Sequence, residues 1–316
     1  MYGCTVENVV SVLLTATVVA VAVGNNMGVI AGPSSGVKVI SKNWLYILAI
    51  IGLSLGYFCE GWKVRITAFL QLRDMLVIFS IAILILSLLT LMGFVTSVTQ
   101  IFMGVLIGYT IAVSGQSLLI GKIAEILMYW GLTLVLSATT SFLLMKILFG
   151  GRTIIIKNLG VFKLVIALLV VFTAYVLGAN TLGFIVSFTM LGMRQDSILS
   201  IIAVLAGIVI GVVIVRGIRG THRIGMGFYG LRYSSTLTIY ISALVLAEVG
   251  TQLSIPIPLS LAVFSGLLGS SMGMKLRLIK GRKVVEYLLA SWIVPLIISL
   301  IASYTVFYIL REMYKI

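Results

Sequence analysis

Apolar runs of bilayer length follow one another along this chain, and no gap between them is large enough for a water-soluble domain. They fall near residues 8–23, 44–61, 74–93, 101–114 and 123–149, then near 161–177, 197–215, 235–252, 257–272 and 286–310. Of the 316 residues, 61% are hydrophobic and 9% charged; a soluble domain carries about 25% charged residues. The runs are continuous and do not alternate, which argues against a membrane β-barrel. The fold class expected is therefore an all-α polytopic membrane protein.

A net charge of +14 suggests nucleic acid only at first sight. The basic residues sit in short loops between spans, where they face lipid headgroups and solvent. The partner expected is the lipid bilayer, with no nucleic acid. Cys4 and Cys59 are the only cysteines, too few for a metal cluster or a disulfide framework, and whether they pair is left open. His222 stands between Arg219 and Arg223 in a polar loop and is read as solvated. The first apolar run has Glu7 before it and no Lys or Arg, so it is read as a span and not as a cleaved leader.

The ten runs divide into two sets of five, 1–150 and 161–316, joined by the glycine-rich, basic connector 151–160, expected to be cytoplasmic. The sets match in order. "VGNNMGVIAG" follows the first run of one set and "GANTLGFIVS" that of the other. Phe102 and Gly104 match Phe264 and Gly266. Lys122 and Glu125 match Lys283 and Glu286, and Trp130 matches Trp292. Such agreement argues for an internal repeat. Five crossings per repeat force the second copy to be inverted. With both termini outside, fifteen of the 22 Lys and Arg fall in inside loops, which favours that layout. Two inverted-topology repeats of about five membrane segments each, with broken or re-entrant helices, are characteristic of secondary transporters.

Residues 8–37 must then cross once. Thirty helical residues would span about 45 Å, against about 30 Å of hydrocarbon, so the segment must tilt, leave the membrane or break. Gly24, Gly28, Gly32 and Pro33 favour a break, with Gly178 and Gly183 at the corresponding place in the second half. A break frees N–H groups that attract anions and C=O groups that attract cations. Asn25, Asn26, Ser34 and Ser35 in one half, and Asn180 and Thr181 in the other, are the candidate binding residues beside the breaks. Short interrupted runs further along, "FVTSVTQIFMG" and "LSIPIPLSLAVFSG", are expected to form re-entrant hairpins that bring Thr99, Gln100 and Ser260 to the same cavity. Gly207 and Gly211, four residues apart, are read as a close-packing pair. Lys122–Glu125 and Lys283–Glu286 suit local ion pairs, and Glu248 is a minor candidate for carrying a proton. No catalytic triad, phosphate loop or nucleotide fingerprint points to an enzyme.

These residues resemble the inorganic phosphate transporter (PiT) family, which also includes sulfate permeases. Its signature, similar to "GANDVAN", occurs once per inverted repeat; "VGNNMGVIAGP" and "GANTLGFIVSF" look like degenerate copies. "TSVTQIFMGVLIG" resembles the family's hairpin "STTHAxVGAxIG", and residues 284–310 resemble its last span. The resemblance implies a permease for phosphate or sulfate that works by alternating access, with Asn25 and Asn180 carrying the anion contact over from the signature. It departs where the family's aspartates bind sodium: Asn26 and Thr181 stand there, and Gln100 replaces the hairpin histidine. No cofactor is implied, and the coupling ion, H+ or Na+, is left open. The expected place is the plasma membrane, and a homodimer is compatible with the layout. A non-transporting scaffold or receptor, or a cation carrier using freed carbonyls, are the alternatives.

Overall fold

A computed structural model describes residues 6–64, 72–92, 96–113, 117–150, 159–189, 198–217, 233–274 and 289–314. Among them there is no strand, and each of the ten apolar runs is helical. In chain order these are α1 (Val6–Val37), α2 (Lys42–Glu60), α3 (Leu72–Leu91), α4 (Val98–Val113) and α5 (Ser117–Phe149). Then come α6 (Leu159–Leu177), a π-helical turn (Gly178–Leu182) leading directly into α7 (Gly183–Thr189), α8 (Ile198–Gly217), α9 (Tyr233–Gln252) and α10 (Leu259–Gly273). A second π-helical turn (Leu289–Ile293) opens α11 (Val294–Tyr314). Six of the described helices are long and apolar enough to cross a membrane, and α4, α8 and α10 are shorter apolar helices. The chain is a multi-pass helical membrane protein. Connector residues 151–158, Cys4, His222 and the pair Lys283–Glu286 lie outside the described residues.

The break expected at Gly24 and Gly28 does not occur. α1 is one helix of 32 residues that runs through Gly24, Gly28, Gly32 and Pro33, about 48 Å long at 1.5 Å per residue. Gly178 and Gly183 do not mark a break either; they bracket the π turn, and α6, the turn and α7 form one continuous helical rod. The physical reason is the solvent. In a bilayer an interrupted ladder strands N–H and C=O groups with no water to receive them, so flexibility in the sequence is not used unless neighbouring groups fill in.

Glycines set how the rods meet. On α2, Gly52 and Gly56 lie on the α6 backbone: a Cβ on Gly56 would stand 1.8 Å from the Tyr175 carbonyl oxygen. On α8, Gly207 and Gly211 lie on α1 in the same manner, with a Cβ on Gly211 falling 2.5 Å from the Ala20 carbonyl oxygen. The close-packing role read for Gly207 and Gly211 holds, and the matching pair on α2 does the same work. α4 packs chiefly on α11 and α10 on α5. Gly104 faces Leu296 and Ser299, and Gly108 faces Leu300 and Ser303, so α4 and α11 run parallel; Gly266 on Ser137 and Gly273 on Met145 give the same parallel register for α10 on α5. The first helix of each set thus packs on the second helix of the other set, and the fourth helix of each on the fifth of the other.

Candidate solute site at two asparagine-held hairpins

The α3–α4 and α9–α10 connections carry irregular backbone into the protein. Thr96 and Ser97 are buried before α4 begins, and Ile255–Pro258 is buried before α10 begins. Irregular backbone away from water is tolerated only when each polar group has a partner. The asparagines supply those partners. Asn25 Nδ2 donates to the Thr96 carbonyl at 2.7 Å. Asn180 Nδ2 donates to the Ile255 carbonyl at 2.9 Å and to Thr251 Oγ1 at 3.1 Å, while its Oδ1 accepts from the Ile257 N–H at 2.7 Å. Its amide therefore pairs with the extended stretch as a neighbouring strand would. Trp130 Nε1 donates to the Pro256 carbonyl at 2.8 Å, and the Ile255 N–H reaches the Gly250 carbonyl at 2.8 Å. Pro256 and Pro258 need no acceptor, since proline has no N–H.

Held in this way, α4 and α10 begin inside the protein. Val98, Thr99 and Gln100 are buried at the start of α4, and Leu259, Ser260 and Leu261 at the start of α10. The first turns of buried helices present N–H groups and the positive end of the helix dipole. Ser260 Oγ accepts from Trp292 Nε1 at 3.2 Å, and the Trp292 ring packs on Phe264 with centroids 4.9 Å apart. The π turn that carries Trp292 thus touches α10 while its own helix, α11, lies along α4. One turn before the Gly104–Leu296 contact, the parallel register brings Gln100 level with Trp292–Pro295. Gln100 Oε1, Ser291 Oγ and Thr96 Oγ1 are buried without a hydrogen-bond partner among the described residues. Buried polar atoms of this kind mark where another polar group can be received.

The other predicted residues divide. Asn26 is buried and Nδ2 turns back to the Ala22 carbonyl of its own helix at 3.0 Å. Thr181 is buried within the π turn. Ser34 Oγ and Ser35 Oγ bond the Ala31 and Gly32 carbonyls. Ser34 is nine residues beyond Asn25 on a continuous helix, about 13 Å along the axis, so the structure does not bring Ser34 and Ser35 to the asparagines. α1 lies against α4, α7, α9 and α10, and α7 against α4.

Among the described residues no Asp, Glu, Lys or Arg is buried. The Lys122–Glu125 pair is present at 2.9 Å. Glu248 accepts from Gln252, which also donates to Glu60, and Lys63 bonds both Glu60 and Gln252, so these residues tie the ends of α2 and α9 together. Asp74 accepts from Tyr109 at 2.9 Å. Cys59 is exposed and unbridged. Among the described residues no three His, Cys, Asp or Glu side chains gather as a metal site. Trp130 and Trp292, noted in the sequence only as repeat landmarks, donate hydrogen bonds to α9–α10. Tyr240 was not singled out at all, although a tyrosine inside an apolar span needs a hydroxyl partner.

No protein-family model matches the sequence, and no curated protein matches it. The fold is similar to a solved structure described as the sodium-dependent phosphate transporter, with a TM-score of 0.71 and 14% identity, covering 96% of this chain and 99% of that chain. At that identity the likeness is one of architecture, and it extends over essentially the whole of both chains: this chain has the fold of a polytopic membrane transporter.

Proposed function

We propose that this protein is a secondary transporter for an inorganic oxyanion, with phosphate the first substrate and sulfate the second. The carrying observation is the pair of short helices, α4 and α10, that begin inside the protein with their approaches held by Asn25 and Asn180. A solved structure of the same fold is described as a sodium-dependent phosphate transporter, which supports the choice of phosphate. The two asparagines act on the hairpins and position them. The solute would meet the N–H groups at the helix starts, the hydroxyls of Thr99 and Ser260, the Gln100 amide and, from the π turn, Thr181. Such groups hold an oxyanion by hydrogen bonds and dipoles in a low-dielectric site. The two sets of five segments act as inverted repeats, 1–150 and 161–316, with both termini outside the cell membrane. The recurrence of the asparagine-to-hairpin and glycine-to-helix contacts in both sets supports that reading. The bundle bearing the hairpins would then move against the α1–α8 and α2–α6 pairs to alternate access.

The test is uptake of labelled phosphate and sulfate by proteoliposomes under imposed Na+ or H+ gradients. Concentrative phosphate uptake driven by one gradient is the expected result, and the gradient that drives it names the coupling ion. Uptake of neither oxyanion by folded, reconstituted protein, or transport of a cation unaffected by oxyanions, would overturn the proposal.

A further inference from the structure

Tyr240 on α9 is among the largest side chains with no exposed surface, and its hydroxyl sits inside the hydrogen-bond ladder of α1. The Ser34 N–H donates to Tyr240 Oη at 3.1 Å, and Tyr240 Oη donates to the Ile30 carbonyl at 2.6 Å. In a regular helix Ser34 N–H and Ile30 C=O are each other's partners; here a phenol oxygen bonds both of them. The adjacent rung is also altered, because Pro33 has no N–H to give the Val29 carbonyl. One turn earlier on α9, Thr236 Oγ1 donates to the Pro33 carbonyl at 3.3 Å. One rung of α1 therefore lacks its direct bond, and α9 adds hydrogen bonds to backbone groups on either side of it. A side chain inserted into the ladder is a recognised cause of helix bending.

We propose that Tyr240 is a positioning residue for transport: α1 bends at Ile30–Ser34 between transport states, and the phenol keeps both opened backbone groups bonded as it does so. The idea rests on the alternating-access reading above. The location suits a pivot. Before it, residues 16–23 of α1 are locked onto Gly207 and Gly211 of α8. Beyond it, α1 ends at Val37, Lys38 turns with φ +53° and the chain enters α2, which is locked onto α6. The pivot belongs to one half only. α3 and α9 have the same length, and Phe79, which has no hydroxyl, stands at the position of Tyr240.

The experiment compares wild type, Tyr240→Phe and Pro33→Ala in proteoliposomes, reading labelled phosphate uptake and backbone hydrogen exchange across residues 30–38. In wild type, phosphate changes exchange at Ser34 and leaves residues 18–23 unchanged. Tyr240→Phe raises Ser34 exchange by about tenfold or more and lowers the maximal uptake rate at least about fivefold, with KM held within about twofold. Pro33→Ala restores an N–H at one rung, so it slows uptake without lowering thermal stability, an outcome a merely structural role does not give. Unchanged Ser34 exchange and unchanged uptake rate in Tyr240→Phe overturn the pivot while leaving the transport reading intact. Failure of wild type to take up phosphate overturns the transport reading, and this role with it.

Discussion

The two hairpin tips do the same job with different backbones. Before α4, Thr96 and Ser97 are the described residues of the connection, and Asn25 takes up the Thr96 carbonyl. Before α10 the chain runs extended through Ile255–Pro258, and Asn180 satisfies a carbonyl and an N–H while Trp130 satisfies a second carbonyl. The long helices differ in the opposite sense. α1 stays α-helical past Gly24–Asn25–Asn26, whereas its counterpart takes a π turn at Gly178–Leu182. The π turn accompanies close contact: a Cβ on Gly178 would lie 2.2 Å from the Leu53 carbonyl oxygen, and one on Gly183 would lie 2.3 Å from that of Gly61. What recurs between the halves is the pairing of an amide with a hairpin, and local backbone form adapts around it.

The largest expected effect tests the packing that precedes this difference. Gly56→Val and Gly211→Val each drive a side chain into a neighbouring backbone, where overpacking has no flexible group to absorb it. Neither variant should give a monodisperse peak on size exclusion in mild detergent; a folded Gly56→Val protein would show that the α2–α6 and α1–α8 contacts are not equivalent. Next come the asparagines. Asn180→Ala leaves an N–H and a carbonyl buried without partners and should lower unfolding stability by about 3 kcal/mol, at about 1–3 kcal/mol per stranded group. Asn25→Ala, which frees the Thr96 carbonyl, should lower it by about 1–3 kcal/mol. Unchanged thermal unfolding in either variant would show that its asparagine does not hold the connection it bonds.

The tryptophans refine the comparison further. Trp130→Phe keeps the ring and strands the Pro256 carbonyl, a loss of about 1–2 kcal/mol. Trp292→Phe removes a bond to the Ser260 hydroxyl, which can rotate to another partner, so its stability loss should be smaller and its effect on phosphate KM larger. Smallest of all is Lys122→Met. The pair it breaks is partly exposed and spaced i,i+3, worth no more than about 0.5 kcal/mol, and uptake kinetics should match wild type.

Much of this was legible beforehand because a bilayer is a severe solvent. It demands helices from every apolar run, so the ten segments could be placed from composition alone, and Gly207 and Gly211 could be read as a packing pair because small residues are what helices in lipid use to approach. Lys122 and Glu125 meet because three residues of helix bring them to one face. The site was legible in part. Asn25 and Asn180 stood out as polar residues in apolar surroundings, yet their partners, Thr96 and Ile255–Ile257, lie about seventy residues away, a separation no local pattern encodes.

The sequence by itself determined that this chain is helical and spans membranes, because those properties follow from residue chemistry and short spacings. Only the tertiary structure decided that Gly24 and Gly28 break nothing and that the asparagines serve the hairpins. It also decided that the Tyr240 hydroxyl meets the α1 backbone at Ile30 and Ser34. Whether a backbone group leaves its helix depends on who stands beside it to take the hydrogen bond, and Tyr240 stands there from more than two hundred residues along the chain.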